Sequence, residues 1–178
     1  QHISEQQERI RELEALSSTD ELTGLHNRRG LQDFMSRTLI TSRRHGETGV
    51  LAFMDLNDFK EINDRYGHDT GDQALCAFAD TIRTNLRGSD FVARLGGDEF
   101  VFVLSRTNEG NGCKRALTIQ REVSATSISV RGRKIFLTAS MGLAFYGGDS
   151  SFNDLMTTAD KAMYDNKKAN KLVTKKSP

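Results

Sequence analysis

Arg94-Leu95-Gly96-Gly97-Asp98-Glu99-Phe100 stands between two apolar runs, Phe91-Val92-Ala93 and Phe100-Val101-Phe102-Val103-Leu104. Gly-Gly tolerates positive φ at both turn positions, so the stretch predicts a tight β-hairpin. Two carboxylates, Asp98 and Glu99, follow at its tip. Two acids beside two residues without side chains let a phosphate approach the backbone while an oxygen-ligated cation sits alongside. Alone, Gly-Gly-Asp is also ordinary turn chemistry, and the rest of the chain decides between the readings.

The 178 residues are enough for about one domain with a real core. Lys+Arg 25 against Asp+Glu 24 leaves a net charge of +1. That balance argues against binding to duplex nucleic acid and offers no polybasic membrane anchor. No apolar run approaches the roughly 18 residues of a membrane span. The chain begins at Gln1 without an initiator Met, which reads as a fragment with an upstream sensor outside it. Cys76 and Cys113 have no metal-ligand spacing and read as buried free thiols of a reducing cytoplasm. The expected location is cytoplasmic, free-standing or as the cytoplasmic portion of a membrane-bound sensor.

Outward from the hairpin, Val50-Leu51-Ala52-Phe53-Met54, closed by Asp55, is a continuous apolar strand of the kind covered on both faces. Before it, Leu31, Phe34, Met35 and Leu39 mark a helix. After it comes a short helix through Asn63, then a loop from Tyr66 to Asp72. A helix with Leu75, Phe78, Ala79, Ile82 and Leu86 on one face ends near Arg87-Gly88. Beyond the Gly-Gly hairpin, Glu109 to Gly112 reads as a loop. A helix burying Cys113, Ala116, Leu117 and Val123 follows. Ile128 to Val130 and Ile135 to Phe145 read as a second hairpin about Arg131-Gly132-Arg133. A last helix carries Phe152, Leu155, Met156, Ala159 and Met163. At the start, Ile3, Ile10 and Leu13 fit a coiled-coil register equally well as a solvated helical stub.

This order predicts an α+β fold, a central mixed and mostly antiparallel sheet flanked by helices, with an N-terminal helical stub. The expected organisation is a linker helix over 1–18, a catalytic domain over 19–172 and a frayed basic tail over 173–178. With the first strand and the hairpin side by side, Asp55 would end close to Asp98 and Glu99. Such carboxylates can share one or two Mg²⁺ ions. On the residues alone, Lys60, Lys167 and Lys171 read as solvated helix faces that could also supply charge to phosphates.

Five motifs occur in order: Asp20-x-Leu-Thr-Gly-Leu-x-Asn-Arg-Arg29, Asp55-x-x-x-Phe-Lys-x-Ile-Asn63-Asp64, Gly67-His68-x-x-Gly71-Asp72, Arg94-Leu-Gly-Gly-Asp-Glu-Phe100 and Ala159-Asp160-x-Ala-Met-Tyr164. Together they resemble the GGDEF-domain family of diguanylate cyclases, a palm-type nucleotide cyclase fold, from about Asp20 to Lys171. The resemblance implies condensation of two GTP into cyclic di-GMP with release of two pyrophosphates, Mg²⁺ (or Mn²⁺) as cofactor, and a catalytic homodimer. It implies Asp55 and Asp98 as metal ligands with the Leu56 carbonyl, and Glu99 as the second acid. Gly96 and Gly97 pass close to the phosphates. Asn63 and Asp72 read guanine, whose N1–H and N2–H a carboxylate can accept together. Lys60, Lys167, Lys171 and the turn at Asp58-Phe59 contact the terminal phosphates. Arg87-Gly88-Ser89-Asp90 matches the family's RxxD inhibitory site for product; as a bare sequence it is also a helix end and a turn.

Two departures stand out. Asn170-Lys171-Leu172 replaces the family's common Gly-Arg-Asn, and Asn57 replaces a common Asp. The rival functions are a degenerate module that binds GTP or cyclic di-GMP as a receptor, and another palm-type cyclase or polymerase. The full set of acids and the guanine pair disfavour both.

Overall fold

The computed structural model describes residues 2–176, without the side chains of 14–16 and 171–176. The chain folds around β1 (Gly49–Leu56), every residue of which is buried. β3 (Glu99–Leu104) and β6 (Ala139–Tyr146) flank it, and β2 (Phe91–Gly96) completes the order β2-β3-β1-β6. All named strand pairs are antiparallel; the parallel element is one isolated bridge between His26 and Ala93.

Alternation along β1 builds the two halves of the core. Val50, Ala52, Met54 and Leu56 pack beneath α4 (His68–Thr84) and α5 (Glu109–Ser124). Leu51 and Phe53 pack beneath α2 (Arg28–His45) and α6 (Phe152–Lys176). The double burial explains why β1 is apolar throughout rather than alternating. α3 (Phe59–Tyr66) leaves the end of β1 and joins α4 through Gly67 alone. The first helix, α1 (His2–Leu16), exposes Ile3, Ile10 and Leu13.

Several elements differ from their sequence expectation. The hairpin turn is Gly97-Asp98, because Gly96 still pairs with Glu99 beyond a bulge. Both glycines hold positive φ, 137° and 51°. Residues 68–72 are helix rather than loop: Gly67, at φ 92°, makes the joint, and α4 starts at once. Residues 109–112 are likewise the first turn of α5, capped by Asn108, whose side chain accepts from the Asn111 N–H at 2.8 Å. On α5 the buried face is Gly112, Ala116, Ile119 and Val123, and Leu117 is exposed. Neither cysteine is fully buried.

The second hairpin divides. β4 (Ser127–Val130) and β5 (Arg133–Phe136) form a separate two-stranded sheet, and the chain then crosses at Leu137-Thr138 into β6 of the main sheet. Leu137 still donates to Thr126 O, whereas Asn57 N–H already bonds Thr138 O, so one long apolar run serves two sheets. The helix α6 continues through Lys176, into the 173–178 segment that the sequence reads as a basic tail.

The approach of α6 to β6 depends on Gly142. A Cβ there would lie 2.1 Å from the Ala159 carbonyl oxygen and 2.2 Å from the Met163 N. Gly142→Ala must therefore push helix and strand apart, at about 1–3 kcal/mol. Thermal unfolding should shift down by several degrees; an unchanged midpoint would mean that the two backbones do not meet there.

Candidate active site

Ladder register assembles the acids. Asp55 stands directly opposite Glu99 between β1 and β3, on the face shared with Phe53 and Val101. Cross-strand partners carry their side chains on the same side. Asp98 follows in the adjoining turn. Leu56 donates its N–H to the Asp98 carbonyl at 3.2 Å. A strand residue's N–H and C=O point to the same edge, so the Leu56 carbonyl also faces the hairpin.

α6 crosses this face and delivers Lys167, whose Nζ lies 2.9 Å from Asp55 Oδ2. The other oxygen, Asp55 Oδ1, is buried with no hydrogen-bond partner. Burial, then a hydrogen bond with Asp55 and its charge, push the Asp98 carboxyl up to about 7 against the opposing Lys167. Glu99 is also raised, first by burial and then by Asp55 and Asp160, with Arg28 and Lys167 opposing. Burial alone would lower Lys167, but its bond to Asp55 and the charges of Asp55, Asp98 and Asp58 hold it above the ordinary lysine value. Three acids thus share too little positive charge. Among the described residues no group of three or more His, Cys, Asp or Glu is gathered as a ready metal cage. The acids are arranged around an ammonium, and the unpartnered Asp55 Oδ1 is the atom that fits a further cation.

The cleft beside them has a volume of about 680 Å³ and is lined by Leu56, Asp58, Phe59, Lys60, Asp98 and Lys167, among others. Its far wall is the start of α3. Asp58 takes a left-handed conformation, φ 58° and ψ 26°, and no side chain caps the helix. The first helical bond is Ile62 N to Asp58 O. The N–H groups of Phe59, Lys60 and Glu61 therefore have no carbonyl within the helix, an arrangement that favours an anion. Asn63 sits one turn further on with a buried Oδ1. Asp72 is exposed in the first turns of α4, one residue beyond Gly71, which packs against Asn63. Asn57 is engaged elsewhere: its Oδ1 accepts from Ser140 Oγ at 2.7 Å and its Nδ2 donates to Thr138 Oγ1. The side chain of Lys171 lies outside the described residues.

The hairpin tip is tied down by a residue pair that sequence reading leaves without a role. Arg94 donates to the Gly97 carbonyl through Nε at 3.0 Å and through a terminal nitrogen at 2.8 Å, and to Asp20 Oδ1 at 3.1 Å. Asp20 also accepts from the N–H and hydroxyl of Thr23. Burial pushes the Asp20 carboxyl up, yet the Thr23 bonds and Arg94 outweigh it and hold it below the ordinary value. A depressed carboxyl contributes stability above its unfolded pKa of about 3.9 and loses it as pH falls through the folded pKa. Asp20→Asn should cost about 2 kcal/mol at pH 7. That deficit should close as pH falls well below the unfolded value, through the lowered folded one, in a pH series of unfolding midpoints; a deficit independent of pH would exclude the charge.

Arg87 and Asp90 precede β2, at the end of the hairpin away from its tip. Arg87 is exposed at a second, basic cleft of about 410 Å³ that Arg106, Lys114 and Arg115 also line. Asp90 is a structural hub: its carboxylate accepts from Arg87 N at 2.8 Å, Ser105 N at 3.1 Å and Arg115 at 2.7 Å. Arg115, like Arg28 and Asp160, has no role in the sequence reading. No local spacing announces it, because it reaches Asp90 across 25 residues.

The family described as diguanylate cyclase, GGDEF domain, matches residues 17–172. The chain is 37% identical over 155 residues to the bifunctional diguanylate cyclase/cyclic di-GMP phosphodiesterase MucR of Pseudomonas aeruginosa, covering 86% of this chain and 22% of that protein. It is 37% identical over 146 residues to the diguanylate cyclase DosC of Escherichia coli K12, covering 82% and 32%. The chain thus spans a third or less of these curated relatives. The GGDEF domain of DgcB from Caulobacter crescentus, solved in complex with c-di-GMP, superposes with a TM-score of 0.81 at 32% identity, covering 86% of this chain and 91% of that one. With the acid register, the uncapped α3 and the Gly96-Gly97 hairpin all in place, the chain belongs to the GGDEF family of diguanylate cyclase domains.

Proposed function

We propose that this domain condenses two GTP into cyclic di-GMP and two pyrophosphates. The observation that carries the reading is the pairing of Asp55 with Glu99 next to Asp98, which lines a cleft whose other wall is an uncapped helix start. Asp55, Asp98, Glu99 and the Leu56 carbonyl are the groups that would hold Mg²⁺ or Mn²⁺. A metal held there would supply Lewis-acid stabilisation of the phosphoryl oxygens and of the attacking hydroxyl. The chain's own part is to bind and align. Phe59 and Lys60 offer backbone N–H groups to the terminal phosphates at the turn after Asp58, with the Lys60 and Lys167 ammonium groups beside them. Gly96 and Gly97 keep the backbone open to the phosphates. Asn63 and Asp72 select guanine. The 3′-oxygen of one GTP then attacks the α-phosphorus of the other. The bond to the β-phosphate breaks, pyrophosphate leaves with the electron pair, and the Glu99 carboxylate takes the hydroxyl proton.

One set of acids and one guanine pair suit one GTP, so two domains face each other and form the two bonds in turn. Product would inhibit at Arg87, supported by the basic cleft, with Asp90 holding the turn. The same cleft favours the second reading, a module that binds cyclic di-GMP as a receptor. The upstream sensor and the cytoplasmic setting belong to this proposal; among the described residues no helix is long and apolar enough to cross a membrane.

The base-reading part has its own test. Asp72→Ala should weaken GTP by about tenfold or more, on a loss of roughly 1–3 kcal/mol, and leave ATP nearly unchanged. Equal losses for the two nucleotides would remove Asp72 from recognition.

A further inference from the structure

The amide of Asn63 rests on a helix position that has no side chain. Gly71 is buried in α4, four residues after the Gly67 joint. A Cβ added there would lie 1.8 Å from Asn63 Oδ1, 2.9 Å from its Cγ and 3.3 Å from the Phe59 ring. Both atoms of the Asn63 carbonyl group would be displaced. No backbone conformation demands glycine here, since Gly71 is helical and its φ is not positive. The residue is small because something occupies its side-chain space.

The occupant makes no hydrogen bond to stay there. Asn63 Oδ1 is buried and without a partner among the described residues. A buried amide oxygen normally has one. Shape therefore sets the rotamer. The planar amide puts its N–H₂ edge on the side opposite to Oδ1, so seating the oxygen against Gly71 turns the two donors away from α4. The main chain at Asn63 is fixed as well, because its carbonyl accepts the Gly67 N–H at 2.9 Å. Asp72 follows Gly71 directly in the sequence.

We infer that Gly71 is a positioning residue for base recognition: the space it leaves seats the Asn63 amide and holds its donor edge in register with the Asp72 carboxylate. The inference rests on the proposed role of Asn63 and Asp72 in reading guanine. It explains a glycine inside a helix, where alanine would ordinarily be the more stabilising residue. It also makes α4 more than a support for the core, since the same turn carries an acceptor of the base and the seat of a donor to it.

A double-mutant cycle tests it. Wild type, Gly71→Ala, Asn63→Ala and the double variant are titrated by calorimetry, in Mg²⁺ buffer, with a GTP analogue that has a methylene between the α- and β-phosphates. The corresponding ATP analogue is the control, and unfolding midpoints are recorded for all four. Gly71→Ala is expected to lower affinity for the GTP analogue about tenfold, as Asn63→Ala does. The double variant should bind no more weakly than Asn63→Ala alone. Gly71→Ala should fail to gain the midpoint that an unhindered glycine-to-alanine change in a helix gives. The double variant should recover it, and that recovery is also the expected result if Gly71→Ala alone is too unstable to titrate. Wild-type affinity in a folded Gly71→Ala protein, losses that multiply in the double variant, or no recovery of the midpoint would each overturn the inference. Failure of the wild type to prefer the GTP analogue over the ATP analogue would overturn the guanine-site reading itself, and the inference with it.

Discussion

Asp98→Asn is expected to yield a folded protein whose turnover falls about 10³-fold or more. The fold should survive because the turn geometry is carried by Gly96 and Gly97. Asparagine also removes a charge whose burial, with the neighbouring Asp55, pushes the Asp98 carboxyl up to about 7. Unfolding midpoints should therefore be unchanged or higher. Turnover should collapse because the amide cannot supply the charge that a metal-assisted displacement needs, a contribution of several kcal/mol at 1.36 kcal/mol per decade. Loss of stability and activity together would indicate a structural role. Wild-type-like product formation by a folded variant would remove Asp98 from the site.

The second large effect is on concentration. If each domain holds one GTP, activity belongs to the pair of domains. Specific activity should then fall in proportion to protein concentration once it is well below the dissociation constant, a tenfold loss for each tenfold dilution. The exposed Ile3, Ile10 and Leu13 of α1 are too few to hold two chains tightly, since short helices have little stability of their own. Initial rates across a dilution series, with sedimentation of the same samples, decide the matter. A specific activity independent of dilution through the range where sedimentation shows monomer would defeat the two-domain site.

The sheet centre was legible because its signals are local. The unbroken run from Val50 to Met54 demands burial on both faces, and Phe91 to Leu104 carries its turn in the middle. Pairing of those two elements then follows, and with it the approach of Asp55 to Glu99. What was missed depends on distant contacts or on glycines with unusual reasons. Gly67 to Asp72 has the composition of a loop, yet Gly71 is small to admit Asn63 rather than to turn the chain. Gly112 misleads in the same way: a Cβ there would meet Val50 Cγ2 at 2.3 Å, so it marks α5 packing on β1, not a loop. The ion pair of Arg94 with Asp20 spans 74 residues, and nothing in either local sequence indicates it. Lys167 could be named as a phosphate contact, but its bond to Asp55 needs the register of α6 on β6, which Gly142 and the bond from Met141 N to Asn166 Oδ1 set.

The Lys167 ammonium lies 2.9 Å from Oδ2 of the carboxylate proposed as a metal ligand.

The central claim is the chemistry itself. The purified domain, at a concentration that favours pairing, is incubated with GTP and Mg²⁺, and the products are identified by mass and counted. The account predicts one cyclic dimer of GMP and two pyrophosphates for every two GTP consumed. Nucleotide that is bound but recovered intact at every protein concentration would contradict it and leave the domain as a receptor.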